Sequence, residues 1–388
     1  MKKKYQILIM IAIIFAGGFA AGTIFTKNSA QPDSIKLAKT AAQSGKNPVQ
    51  KSTPKLPDAP SKVLIGYVQD YRDPNAVDYS SLSHVIFSFV HPEKDGSLSF
   101  NGDTAMNNLR SMVSNAHKHD TKAILAVGGW FHIKGGESYE YFKSAIASPA
   151  SRNKLVNELV NVADREKLDG IDIDFEHPRS QNEADFLEVF IHDLSKKLHA
   201  NDKELSVAVH SKIHSVTGTE TGNIVYNSSM FKDVDHVNIM AYDGQWDGGY
   251  NAANLSPYPF TENIVNYWAN LFDTLNITKD KLVLGVPFYA QPEDPSIKQV
   301  SYEAIINRSP ENALRDIINI NGTTYYYNGE STMQKKTNLA LNNGFGGMMI
   351  WEVGHDAKGP YSLAGAIAEV LKDSETKPVK YYSVKNSY

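Results

Sequence analysis

Eight short apolar runs punctuate the chain between residues 63 and 352. They are Val63–Val68, His84–Val90, Ala123–Gly129, Gly170–Glu176, Leu205–Ser211, His236–Tyr242, Leu282–Phe288 and Gly347–Glu352. Each carries β-branched or aromatic residues and predicts a strand. The intervals between them include helical patterns such as Ser151–Leu168 and Glu183–Leu198, with apolar residues three and four apart. Strands alternating with helices predict parallel βα units in the α/β class, and eight of them predict a (β/α)8 TIM barrel. A doubly wound open sheet gives a similar alternation, but no G-x-G-x-x-G follows the first run. The interval from Ala290 to Gly344 is too long for one connection and contains the strand-like Tyr325-Tyr326-Tyr327. It predicts a small insertion between strands 7 and 8.

The ends of the chain read differently. Lys2, Lys3 and Lys4 precede an apolar run from Ile7 to Phe25, so residues 1–25 predict a signal peptide or an N-terminal membrane anchor. Residues 26–60 are rich in Lys, Ser, Ala, Gln and Pro and predict a disordered linker. A catalytic barrel is expected over 61–372, with a polar tail over 373–388. Any membrane contact would run through the N-terminal segment if it is retained, and the protein is otherwise expected outside the cell or at its surface.

Composition narrows the chemistry. With 41% hydrophobic and 21% charged residues, the 388-residue chain can bury a sizeable core. Its net charge of −4 and lack of a basic stripe argue against a nucleic-acid partner. Zero cysteines exclude disulfides, thiol catalysis and cysteine-ligated zinc.

The fourth run carries the chemistry. In Asp169-Gly170-Ile171-Asp172-Ile173-Asp174-Phe175-Glu176, alternation puts Asp172, Asp174 and Glu176 on one face and Ile171, Ile173 and Phe175 on the other. In a barrel the apolar face meets the helices, so the three carboxylates point into the lumen. Burying them without partners would be costly and mutually repulsive, which favours a functional row. Three readings follow: a divalent metal site, a paired acid and nucleophile, or one acid whose substrate supplies the nucleophile. Glu176, nearest the strand's C-terminal end, is best placed as the acid, because barrel active sites form there. Asp174 lies one pleat below, about 6.6 Å along the strand. No His pair or EF-hand-like spacing supports the metal. His132, His177, His210 and His236 show no ligand spacing and read as structural.

This run resembles the DGxDxDxE signature of family-18 glycoside hydrolases, the chitinase family. Ala126-Val127-Gly128-Gly129-Trp130 is similar to the family's SxGG strand, and Met240-Ala241-Tyr242-Asp243 to its MxYD motif. Leu282–Tyr289 and Gly347–Glu352 resemble its seventh and eighth strands. The resemblance implies substrate-assisted retaining hydrolysis with no cofactor or metal. It makes Glu176 the proton donor, Asp174 the partner of the substrate acetamido group, and Asp172 the residue that tunes Asp174. Tyr242, Asp243 and Met240 would line the −1 sugar site, with Trp351 as its floor. Tyr67 and Phe89 end strands 1 and 2, while Trp130, Trp246 and Tyr289 follow strands 3, 6 and 7; all five are candidate substrate contacts. Three positions depart from the family pattern: Ala126 stands for serine, His177 for tyrosine and Ala290 for glycine. The first removes a hydroxyl that would help hold Asp172.

The implied partner is an N-acetylglucosamine-containing polysaccharide or oligosaccharide, with endo-acting chitin hydrolysis the leading expectation. Cleavage of N-glycans or cell-wall glycan by an endo-β-N-acetylglucosaminidase is an alternative, since the N-acetyl group is common to all. A chitin-binding lectin is another, although such proteins typically lose the acid that Glu176 supplies here.

Overall fold

A computed structural model describes residues 62–176 and 178–376. The predicted leader, the linker, His177 and the last twelve residues lie outside the described residues. All eight predicted strands form. They are β1 (Val63–Gln69), β2 (His84–Pro92), β4 (Lys122–Gly128), β5 (Gly170–Asp174), β6 (Glu204–His210), β7 (His236–Met240), β8 (Leu282–Pro287) and β13 (Gly347–Trp351), with the two-residue β3 (Leu98–Ser99) between β2 and β4. Each of the eight pairs in parallel with its neighbours, and β1 pairs with both β2 and β13, so the sheet closes on itself. The fold is a (β/α)8 barrel. Apart from residues 295–298, the described chain forms one compact unit.

The stretch after β8 is a separate antiparallel sheet. It consists of β9 (Tyr289–Pro292), β10 (Val300–Ser301), β11 (Ile317–Ile320) and β12 (Thr323–Tyr326), in the order β10-β9-β12-β11. The predicted insertion between strands 7 and 8 is this sheet.

Two apolar layers hold the barrel. Ile171, Ile173 and Phe175 are buried in the larger layer between strands and helices, as their alternation requires. Ile65, Ile86, Ile124, Val283 and Met349 fill the lumen. Each such side chain contributes about 1.5–3 kcal/mol on leaving water. The helices that hold β5 are capped by their own sequence. Ser148 accepts from the Ser151 N–H at the start of Pro149–Arg165, and Ser180 accepts from the Glu183 N–H at the start of Gln181–His199. Glu183 reaches back to the Arg179 N–H at 2.6 Å, which fixes the turn that leaves β5.

Two expected boundaries move. Regular pairing of β5 stops at Asp174, so Phe175 and Glu176 lie just past the strand, where the chain turns toward its next helix. The last helix, Leu363–Thr376, runs four residues into the expected tail. Polar residues such as Lys372 and Asp373, both exposed, suit the solvent side of a helix as well as a tail. Among the described residues no helix is long and apolar enough to cross a membrane.

Candidate active site

The acidic row begins deep in the lumen with Asp172, which is fully buried. Three donors from three strands meet it: Tyr67 Oη at 2.7 Å, Ser206 Oγ at 2.5 Å and Asn238 Nδ2 at 3.2 Å. Burial nevertheless pushes its carboxyl up to about 6, the hydrogen bonds offsetting only part of the effect. The hydroxyl missing at Ala126 is supplied across the other edge of β5, by Ser206 on β6. Sequence reasoning did not find Ser206 or Asn238, because nothing local to them signals that they face Asp172.

Asp174 ends β5 and is 4% exposed. Its Oδ1 is buried without a hydrogen-bond partner among the described residues. Burial, then the Glu176 and Asp172 carboxylates, hold its carboxyl well above the ordinary range. Glu176 keeps partial solvent access, and both residues line a pocket of about 280 Å³, open mouth included. Protein crowding and the Asp243 carboxylate raise the Glu176 carboxyl to about 8. The residue is anchored through its backbone: Tyr226 Oη donates to the Glu176 carbonyl and accepts from the His210 N–H, each at 3.0 Å. The row therefore contains protons to give near neutral pH.

Glycines set the approach of β4 to this row. Gly128 sits at φ +122°, and a Cβ there would lie 2.2 Å from the Asp174 carbonyl oxygen. Gly129, at φ +80°, faces the Phe89 ring and donates its N–H to the same carbonyl at 3.0 Å. Only glycine combines such φ values with such contact. The strand then delivers Trp130, 42% exposed, to the pocket wall.

The other expected residues separate into two groups. Trp351 ends β13 half-buried, flanked by the Tyr67 ring at 5.6 Å and the Phe89 ring at 5.9 Å. Met240 is half-buried against the lumen layer, and Tyr242 is buried with its hydroxyl 3.9 Å from Met349 Sδ. Asp243, in the left-handed region at φ +63°, is exposed and accepts from Tyr289 Oη at 2.5 Å and Gln245 Nε2 at 3.0 Å. Trp246 is 48% exposed and packs on Tyr250. Tyr67 and Tyr289, expected as substrate contacts, are buried, and their hydroxyls bond Asp172 and Asp243. A further pair was not anticipated: Glu352, fully buried beside Trp351, accepts from Arg72 Nε at 2.9 Å and so ties the end of β13 to the chain after β1.

A closed parallel barrel with a carboxyl row rising to its C-terminal mouth between exposed aromatic rings is the site of a glycoside hydrolase. Residues 63–356 match the family described as glycosyl hydrolases family 18, and the chain belongs to that family as a chitinase-like glycoside hydrolase. Endochitinase 1 of Metarhizium robertsii is 24% identical over 370 residues, covering 80% of this chain and 84% of that protein. The crystal structure of the family-18 chitinase ChiB from the chitin utilization locus of Flavobacterium johnsoniae shares 26% identity with a TM-score of 0.67. The match covers 81% of this chain and 95% of that one. A chitinase from Bacteroides thetaiotaomicron, 24% identical, covers 81% and 98% with the same TM-score and shows the shared fold.

Proposed function

We propose that this protein is an exported, endo-acting chitinase that cleaves β-1,4 bonds following N-acetylglucosamine with substrate assistance. One observation carries the mechanism. Asp174 presents a buried oxygen without a donor, in the same pocket as a carboxyl that holds its proton to about pH 8. A substrate acetamido N–H is the complementary donor. In this reading Glu176 protonates the glycosidic oxygen as the C–O bond breaks. The acetamido carbonyl oxygen attacks the anomeric carbon, and Asp174 stabilises the resulting oxazolinium. Asp172, held by its three donors, tunes the protonation of Asp174. Tyr242 and Asp243 bind the acetamido group and the sugar, and Met240 packs beside them. Trp351 forms the floor, while Trp130, Phe89 and Trp246 offer rings to the sugars on either side. Water then opens the oxazolinium with retention, Glu176 taking back a proton.

The basic N-terminus followed by the apolar run Ile7–Phe25 supports export, which places the enzyme outside the cell or at its surface. Relatives named endochitinase and chitinase support chitin as the polymer. Incubation with chitin oligosaccharides, N-glycoproteins and peptidoglycan fragments tests this. Internal cleavage of chitin oligosaccharides is expected, whereas products from either of the other two alone would reassign the substrate.

The pH profile follows from the acid. Glu176 works only while protonated, so kcat/KM is expected to fall on the alkaline side with an apparent pKa of about 8. The value belongs to the coupled carboxyl row rather than to one group. Activity that stays level to pH 10 would remove Glu176 as the donor.

A further inference from the structure

The opposite pole of the barrel gathers a second set of ligating side chains. His84, Glu204 and His236 are the first residues of β2, β6 and β7. Each lies two positions before a lumen-facing residue, namely Ile86, Ser206 and Asn238. Strand alternation therefore projects all three into the lumen floor, below Asp172. One ligand atom from each falls within 4.8 Å of the others. His84 Nε2 is 2.9 Å from Glu204 Oε2, and His236 Nε2 is 3.9 Å from the same oxygen.

The His236 ring packs edge-on against that of His84, with centroids 5.1 Å apart. Among the described residues its buried Nδ1 has no hydrogen-bond partner, and its Nε2 is too far from Glu204 for a hydrogen bond. The gap is also short for a bridging water, whose two bonds of ~2.8 Å at a tetrahedral angle span about 4.6 Å. A zinc ion with bonds of ~2.0–2.2 Å separates its ligand atoms by about 3.3–3.5 Å, and the observed 2.9 and 3.9 Å bracket that span. Ser83 Oγ contacts His84 Nδ1 at 2.8 Å and aims the opposite ring nitrogen at Glu204, as partners of metal-bound histidines do.

We propose that His84, Glu204 and His236 bind one Zn²⁺, or a similar divalent transition-metal ion, with a fourth position left to water. Two imidazoles and a carboxylate suit zinc, whereas Ca²⁺ and Mg²⁺ call for all-oxygen shells. The ion clasps β2 to β6 and β7 across the floor, a stabilising role distant from the acids at the mouth. Lys122 is its competitor. The ammonium pairs with the other Glu204 oxygen, but the side chain is 49% exposed and is free to swing into solvent.

The test uses the full chain, stripped with chelator and titrated with Zn²⁺. Saturable binding of one ion is expected, with Tm rising by about 5 °C at a hundredfold excess over Kd. Co²⁺ in its place should give the intense visible absorption of a four-coordinate ion. His236→Ala and Glu204→Gln should abolish both signals, while Lys122→Gln should tighten Zn²⁺ binding severalfold by removing the competing charge. Lys122 is half-exposed, so this variant is informative even if the buried variants fail to fold. Absence of saturable binding in the parent, undiminished binding in His236→Ala, or unchanged affinity in Lys122→Gln would overturn the site.

Discussion

Glu176→Gln is expected to lower turnover of chitin oligosaccharides by at least 10²–10⁴-fold, because the amide keeps the side chain's shape but has no proton to give. A sugar alkoxide is a poor leaving group, which pushes the loss toward the upper end. Oligosaccharide affinity should survive, since Trp351, Trp130 and Trp246 are untouched. The variant should also melt no lower than its parent. The Glu176 carboxyl is raised to about 8 in the folded state, against an ordinary value near 4.3. Its ionisation therefore disfavours folding, a cost that accrues as pH rises between those values and is complete above pH 8. Glutamine removes that cost, so any gain in Tm should be largest in alkaline buffer. Turnover above a tenth of the parent rate would show that another group donates the proton.

The second large effect concerns Asp174 and the substrate together. Removing the acetyl group of the −1 sugar, to leave a free amine, takes away the internal nucleophile. An intramolecular attack in good geometry supplies several kcal/mol of the barrier, so hydrolysis should fall by at least about 10³-fold. Asp174→Asn on the normal substrate should lose about 10²–10³-fold, since an amide cannot offset the charge of the oxazolinium. NMR of the products should show the β-anomer first. An α-anomer first, or equal cleavage of the amine substrate, would assign a different mechanism to the pair.

The barrel was legible because each strand is a short apolar run set between longer amphipathic helices. The acidic row was equally plain, since alternation alone places Asp172, Asp174 and Glu176 on one face. What surrounds the row was not. Ser206 and Asn238 are separated from Asp172 by 34 and 66 positions, and only strand register brings them to it. Tyr67 and Tyr289 were legible as residues at strand ends, but the sequence does not show that their hydroxyls bond Asp172 and Asp243. The same blindness hid His84, Glu204 and His236. Their spacing along the chain carries no signal, and they become neighbours only when three strands start at the same level.

The Tyr289–Asp243 bond reaches beyond the two residues that make it. Tyr289 is the first residue of the inserted sheet; burial raises the Asp243 carboxyl, and hydrogen bonds from Gln245 and from the Tyr289 hydroxyl offset part of that rise. The Asp243 carboxylate in turn helps keep the Glu176 proton in place. The insertion thus acts as a remote dial on the acidity of a residue it does not carry. Exchanging this sheet between related barrels would transplant a working pH along with any change in cleft shape.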